Sequence, residues 1–285
     1  MKYEVPDKWS DSIESILASY RSHLKQKYGI GALRKYEYLY DNNREAGVSE
    51  AIIFNWLCDM KQNPALLEDL SEGGADFICN QGKDSSFVVE VTCIGGQALL
   101  DKTGCHMLPG QLMALVSLTT SLRNRVARKT SQLSDYEMPR VLIITSLHDG
   151  GYLFLNQDGA KKLLISDWAY SISDQHSNDE NCLSTDLKKS IFLKPDGSDQ
   201  SKIVACRQAI SSVLLMPISG DRLNVIGILN PEPSYGLNIQ AFPKIPFVRI
   251  KNWPVSNGVI STEWVISDPY ASVYSLSNEI EKYGT

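Results

Sequence analysis

Cysteine is sparse in this chain and never paired at short spacing. The six cysteines (Cys58, Cys79, Cys93, Cys105, Cys182 and Cys206) are scattered over 285 residues without a Cys-x-x-Cys pair. Without a secretion signal ahead of them, they read as reduced, mostly buried thiols rather than a disulfide framework. Cys105-His106 is the one Cys/His neighbour pair, and no second pair stands at ligand spacing, which disfavours structural zinc. No run approaches the roughly 20 apolar residues that span a bilayer, and Met1-Lys2-Tyr3-Glu4-Val5-Pro6 lacks the apolar core of a signal peptide. The expectation is a soluble, cytoplasmic protein. A glycine-rich phosphate loop, a Gly-x-Ser-x-Gly elbow and a dinucleotide fingerprint are also missing, and Gly95-Gly96 lacks the rest of any such motif. These gaps count against a small-molecule enzyme on an unrelated α/β fold. No internal repeat is evident.

The chain does hold ample material for a core, being 43% hydrophobic and 21% charged. Its formal charge of -5 argues mildly against coating nucleic acid through bulk charge, yet a total says nothing about where charges sit. Between Ser121 and Arg140, five basic residues (Arg123, Arg125, Arg128, Lys129 and Arg140) outnumber two acidic ones, Asp135 and Glu137, so this window alone is net +3.

Ile13, Ile16, Leu17, Tyr20 and Leu24 recur at helical spacing up to Gly29-Ile30-Gly31, predicting a helix from about Lys8 to Tyr28. A second helix is expected to start near Ser49 as N-cap, with Glu50 in its first turn, Ile53, Trp56 and Leu57 on its apolar side and Pro64 at or past its end. After Gly73-Gly74 the pattern becomes extended. Ala75 to Cys79 reads as a short strand, Asn80 to Ser86 as a turn, and Phe87 to Ile94 as a β-branched strand completing a hairpin. A long helix from about Gln111 to Leu133 leads to the continuous apolar strand Arg140 to Ser146, which needs cover on both faces. One more helix is read between Gly159 and Ile172 on Ala160, Leu163, Leu164 and Trp168, and a polar exposed loop from Asp174 to Ser201. Strands resume at Ser212–Met216, Asn224–Leu229 and Pro246–Ile250. The order predicts an α/β domain with a mixed central sheet flanked by helices. It has an N-terminal helical segment (1–44), a core (about 45–170) and a C-terminal β-rich extension (about 202–285), which either elaborates the same sheet or forms a small second lobe.

Within the strand from Phe87 to Ile94, alternation puts Glu90 on one face with Val88, Thr92 and Ile94. A carboxylate inside an apolar run needs a cation, a metal or a proton, because burying it unpaired costs several kcal/mol. Taken alone, Glu90 reads as readily as a structural ion pair or a solvent-facing edge residue as it does as a functional carboxylate. Asp76, on the partner strand of the hairpin, brings a second carboxylate beside it, although Asp after Gly73-Gly74 is also a common turn residue. Two acids at close quarters are stable around a divalent cation, and hard oxygen ligands suit Mg²⁺ or Mn²⁺. On the long helix, Leu122, Val126 and Leu133 form an apolar stripe, and Lys129 falls on it with Arg125 and Gln132 on the same side. The alternative for Lys129 is to snorkel to solvent along the helix edge.

Glu50, then Gly74-Ala75-Asp76-Phe77, then Val89-Glu90-Val91-Thr92, then Lys129-Thr130-Ser131-Gln132-Leu133 together resemble the PD-(D/E)XK nuclease superfamily, over roughly Glu45 to Leu147. That pattern runs from a helix-borne Glu to an Asp opening one strand, to Glu-x-Lys on the next, to a helix packed on the sheet. Thr92 stands where the motif usually has lysine. The resemblance implies that the lysine has moved to the following helix as Lys129, or that catalysis is lost. It further implies a restriction-endonuclease-like fold and a Mg²⁺- or Mn²⁺-dependent endonuclease acting on DNA, in restriction or phage defence. Asp76, Glu90 and the Val91 carbonyl would hold metal, Glu50 would assist through water, Lys129 would stabilise the transition state and Gln132 would position it. Arg123, Arg125 and Arg128 would contact phosphates; taken singly, Arg123 and Arg128 read equally as part of a solvated helix face. The partners implied are DNA and either a second copy of the chain or a protein of a defence system. The competing reading is a nuclease-fold protein without catalysis that binds nucleic acid or a protein partner, which Thr92 favours.

Overall fold

The structure is a computed structural model and describes residues 3–6, 8–67, 74–103, 112–165, 169–173, 180–184, 190–197, 202–255, 260–265 and 273–276. Three helices come first: α1 (Asp11–His23), α2 (Gly29–Asn42) and α3 (Arg44–Asp59). The predicted break at Gly29 is a change of direction. A π-helical turn, Leu24–Tyr28, leads from α1 into Gly29 at φ 84°, ψ -177°, a conformation essentially reserved for glycine, and helix resumes at once. The expected N-cap at Ser49 is also corrected. Asn43 caps α3, its Oδ1 accepting from Ala46 N at 3.3 Å, while Ser49 lies buried inside the helix and accepts from Thr145 Oγ1 at 2.9 Å. Glu50 consequently sits mid-helix rather than in a first turn.

The hairpin strands follow as β1 (Ala65–Leu66), β2 (Phe77–Cys79) and β3 (Phe87–Cys93), then α4 (Gly96–Thr103), α5 (Leu112–Leu133), β4 (Arg140–Ser146) and α6 (Gln157–Ile165). Gln111 and the Cys105-His106 pair lie outside the described residues. The helix read as far as Ile172 stops at Ile165. Beyond it Ala169–Ser173 forms β5, paired antiparallel with β6 (Glu180–Ser184), and Trp168 lies outside the described residues. The stretch read as an exposed loop therefore contains β6 and β7 (Leu193–Pro195), the latter paired with β8 (Ile203–Ala205). Its polar composition concealed a buried trio, Ile191, Phe192 and Leu193, whose turn is bound by Ser190: the hydroxyl accepts from Phe192 N and Leu193 N and donates to the Leu164 carbonyl. The remaining strands are β9 (Ser212–Ser219), β10 (Arg222–Asn224), β11 (Ile226–Leu229), β12 (Phe247–Ile250), β13 (Ile260–Trp264) and β14 (Val273–Ser275).

One mixed sheet runs β1-β2-β3-β4-β9-β11-β12-β13-β6-β5, with β10 and β14 joined beside β9. The C-terminal strands thus continue the same sheet. At its centre β3, β4 and β9 are parallel, and every residue of β4 is buried. Helices on both faces make that necessary. Ile16, Leu17, Ile52, Ile53 and Leu57 of α1 and α3 pack on Phe77, Val89, Val141 and Ile143. Leu122, Val126 and Leu133 of α5, with Leu163 and Leu164 of α6, pack on Val88, Leu142 and Ile144 on the opposite face. Each such side chain contributes about 1.5–3 kcal/mol on full burial. No described helix is long and apolar enough to cross a membrane. The thiols of Cys58, Cys79, Cys93 and Cys206 are free, and burial raises the pKa of each.

Candidate functional site

The site originates in a mismatch of strand length. β2 pairs only Phe77, Ile78 and Cys79 with Val89, Val88 and Phe87, so β3 runs on from Glu90 to Cys93 beyond its partner. Extending that register by one residue sets Asp76 opposite Glu90. In place of a ladder bond, Asp76 Oδ2 accepts from Val91 N at 2.6 Å. The N–H and C=O of one strand residue leave on the same edge, so the Val91 carbonyl lies on this edge as well.

Glu90 points to the α5 face and is 2% exposed. Its Oε1 accepts from Lys129 Nζ, and its Oε2 accepts from Gln132 Nε2 at 3.3 Å. Gln132 closes the cluster, accepting from Lys129 Nζ at 2.8 Å and donating to the Gly74 carbonyl at 2.7 Å. One turn earlier on α5, Arg125 donates to Thr92 Oγ1 at 3.1 Å and to the Cys93 carbonyl at 2.9 Å. The two spacings match: four helical residues rise about 6 Å and two strand residues about 6.6 Å. An α5 antiparallel to β3 therefore brings Lys129 onto Glu90 and Arg125 onto Thr92. The position that would carry the motif lysine is engaged by a cation from the helix.

Glu50 reaches the site from the opposite face of the sheet. Tyr20 Oη donates to Glu50 Oε1 at 2.7 Å. Burial, and then the Glu50 carboxylate, raise the Tyr20 pKa well above its ordinary value, with Asp76 adding to the effect, so the phenol stays protonated and remains a donor. Glu50, Asp76, Glu90, Val91, Lys129 and Gln132 all line one cavity of about 400 Å³. One wall is α2, through Ala32, Lys35, Tyr36, Tyr38, Leu39 and Asn42, and Leu24, Ala46, Leu66, Gly74 and Cys93 complete the lining.

The basic window is less unified than its charge count implies. Arg125 is turned onto the sheet and half-buried, Arg128 is exposed and Arg123 partly so, and neither Arg123 nor Arg128 lines the cavity. Arg140 is fully buried. It donates to the Leu133 and Ser134 carbonyls at 3.2 and 3.0 Å, closing the C-terminus of α5, and lies 5.0 Å from the Tyr235 ring centroid.

Sequence reasoning missed Tyr20, the α2 wall and a further carboxylate. The one available signal for α2 was the 3–4 spacing of Ala32, Lys35, Tyr36, Leu39 and Asn42 just past the glycines. Glu45 is 6% exposed and both its oxygens accept from Gly96 N at 3.0 Å; burial raises its pKa, and the Gly96 N–H opposes that rise. A Cβ on Gly95 would stand 3.0 Å from Glu45 Oε2, which accounts for the glycine there. Among the described residues, no group of three or more His, Cys, Asp or Glu side chains converges closely enough to hold a metal ion. No protein-family model, curated protein or solved structure matches this chain.

Proposed function

We propose that this protein is a metal-dependent nuclease that hydrolyses phosphodiester bonds of DNA, built on a restriction-endonuclease-like variant of the α/β fold. The observation that carries the reading is the convergence of Glu50, Asp76, Glu90 and Lys129 on one cavity at the open edge of β3. The donor set fits a hard cation. Asp76, Glu90 and the Val91 carbonyl offer oxygen only, and Mg²⁺ is commonly held by one or two carboxylates plus substrate phosphates, a demand that needs no three-acid cluster. When bound, a divalent cation supplies charge neutralisation at the scissile phosphate and makes water more acidic.

The chain's own groups do the rest. An ammonium has three donors; Lys129 gives one to Glu90 and one to Gln132, leaving a third for a phosphate oxygen as negative charge builds in the transition state. Gln132 fixes the Lys129 rotamer through the Gly74 carbonyl. Glu50, oriented by Tyr20, takes up the proton of the attacking water. The setting in restriction or phage defence belongs to the same proposal and rests on resemblance alone.

The test is a cleavage panel of double-stranded DNA, single-stranded DNA and RNA with Mg²⁺ or Mn²⁺ and with EDTA. Asp76→Asn and Glu90→Gln are expected to lose at least about 100-fold in rate, and full activity in either overturns the proposal. The non-catalytic alternative has its own supporting observation: Lys129 and Gln132 already match both oxygens of Glu90. Calorimetry finding no divalent-metal binding, together with intact DNA binding, decides for it.

A further inference from the structure

Resting on the nuclease reading, we infer that the substrate is a strand with unpaired bases: single-stranded DNA or a frayed end, with one base lying against α2. The cavity is two-sided. Its floor carries Glu50, Asp76, Glu90, Lys129 and Gln132, groups suited to a phosphate and a cation, and one of its walls is α2, bearing Lys35, Tyr38, Leu39 and Asn42. Tyr38 is 72% exposed, the most exposed of the large hydrophobic residues among those described, and it lines this cavity. Tyr36, two residues before it, is buried and donates to the Gly47 carbonyl at 3.1 Å, which ties α2 to α3 and gives the exposed ring a rigid base.

A flat aromatic face beside a phosphate-handling floor recognises a nucleotide by stacking on its base, a contact open to every base because each has a π face. In a duplex the faces are stacked inside the helix and only edges show in the grooves. Tyr38 can therefore meet a base face only where pairing is already lost, or where the base is extruded at additional cost. A cavity of about 400 Å³ has room for one nucleotide-sized group. Lys35 stands three residues before Tyr38 and Asn42 four after, so a cation and an amide flank the platform on the same helix.

The experiment compares one labelled sequence as a single strand, as a blunt duplex and as a duplex with a single-stranded flap, using the full-length protein. Cleavage of the single strand and of the flap is expected at least about tenfold faster than cleavage of the blunt duplex. Tyr38→Ala is expected to raise KM for the single strand about tenfold with little change in kcat, and Tyr38→Trp to restore it. Equal rates on single strand and blunt duplex, or an unchanged KM in Tyr38→Ala, overturns the inference and leaves the nuclease reading standing. Absence of metal-dependent cleavage on every substrate removes that reading instead. Fluorescence anisotropy of the same single strand in EDTA then still tests Tyr38: weaker binding by Tyr38→Ala supports its role, and unchanged binding overturns it.

Discussion

Glu90 and Lys129 hold each other's charge at a single buried contact. Their side chains are 3% and 20% exposed, so each ion has been withdrawn from most of its hydration and depends on the other. Removing one partner strands a charge. Lys129→Met is expected to cost about 3–5 kcal/mol in urea unfolding, whereas Lys129→Met combined with Glu90→Gln costs clearly less than the sum of the single changes. An additive double mutant would show that the pair is not coupled. Thr92 belongs to the same account. It cannot carry charge, and the Arg125 guanidinium donates to its hydroxyl, so α5 supplies at two successive turns the positive charge that β3 lacks.

At the scale of elements, the approach of α2 depends on a single backbone conformation. Gly29 has φ 84° and ψ -177°, and a Cβ built there meets nothing within 4 Å, so the cost of a side chain is purely conformational. Gly29→Ala is expected to destabilise by about 1–3 kcal/mol in chemical denaturation and to weaken single-strand binding as the α2 wall shifts. A fully stable variant with unchanged binding would remove that role from the turn. The same region marks how far the sequence could be read. Strong periodicity placed β3, α5 and β4 to within a residue, and a carboxylate among Val88, Val89 and Val91 was conspicuous enough to expose the catalytic candidates. Ser49 misled because capping chemistry is local and ambiguous: Asn43, six residues earlier, holds the cap, and Ser49 answers to Thr145 across the core. The contacts of Tyr20 with Glu50 and of Glu45 with Gly96 join positions 30 and 51 apart, and no periodicity encodes such distances. The strands between Asp174 and Ser201 were hidden because the polar composition there reads as loop, although it encloses the buried run Ile191, Phe192 and Leu193, whose backbone is held by the Ser190 hydroxyl.

For the whole molecule, the single sheet sets an order of assembly. The β2–β3 hairpin joins residues as close as Cys79 and Phe87, while β3 finds β4 through Val89 and Val141, and β4 finds β9 through Val141 and Ser212. Closing the longer loops costs more entropy before any contact repays it, so parallel pairings of high sequence separation form late. Pulsed hydrogen exchange during refolding is expected to find the amides of β2 and β3 that face each other protected before those between β4 and β9; simultaneous protection would contradict that order. The hairpin carries Asp76 and Glu90, and the crossover that returns the chain to β4 carries Lys129. On that order the two acids meet before their cation arrives, and solvent has to screen them until α5 docks. On the same order, the lysine's place on the later helix makes the site close last in its own half of the sheet, only once α5 is in position.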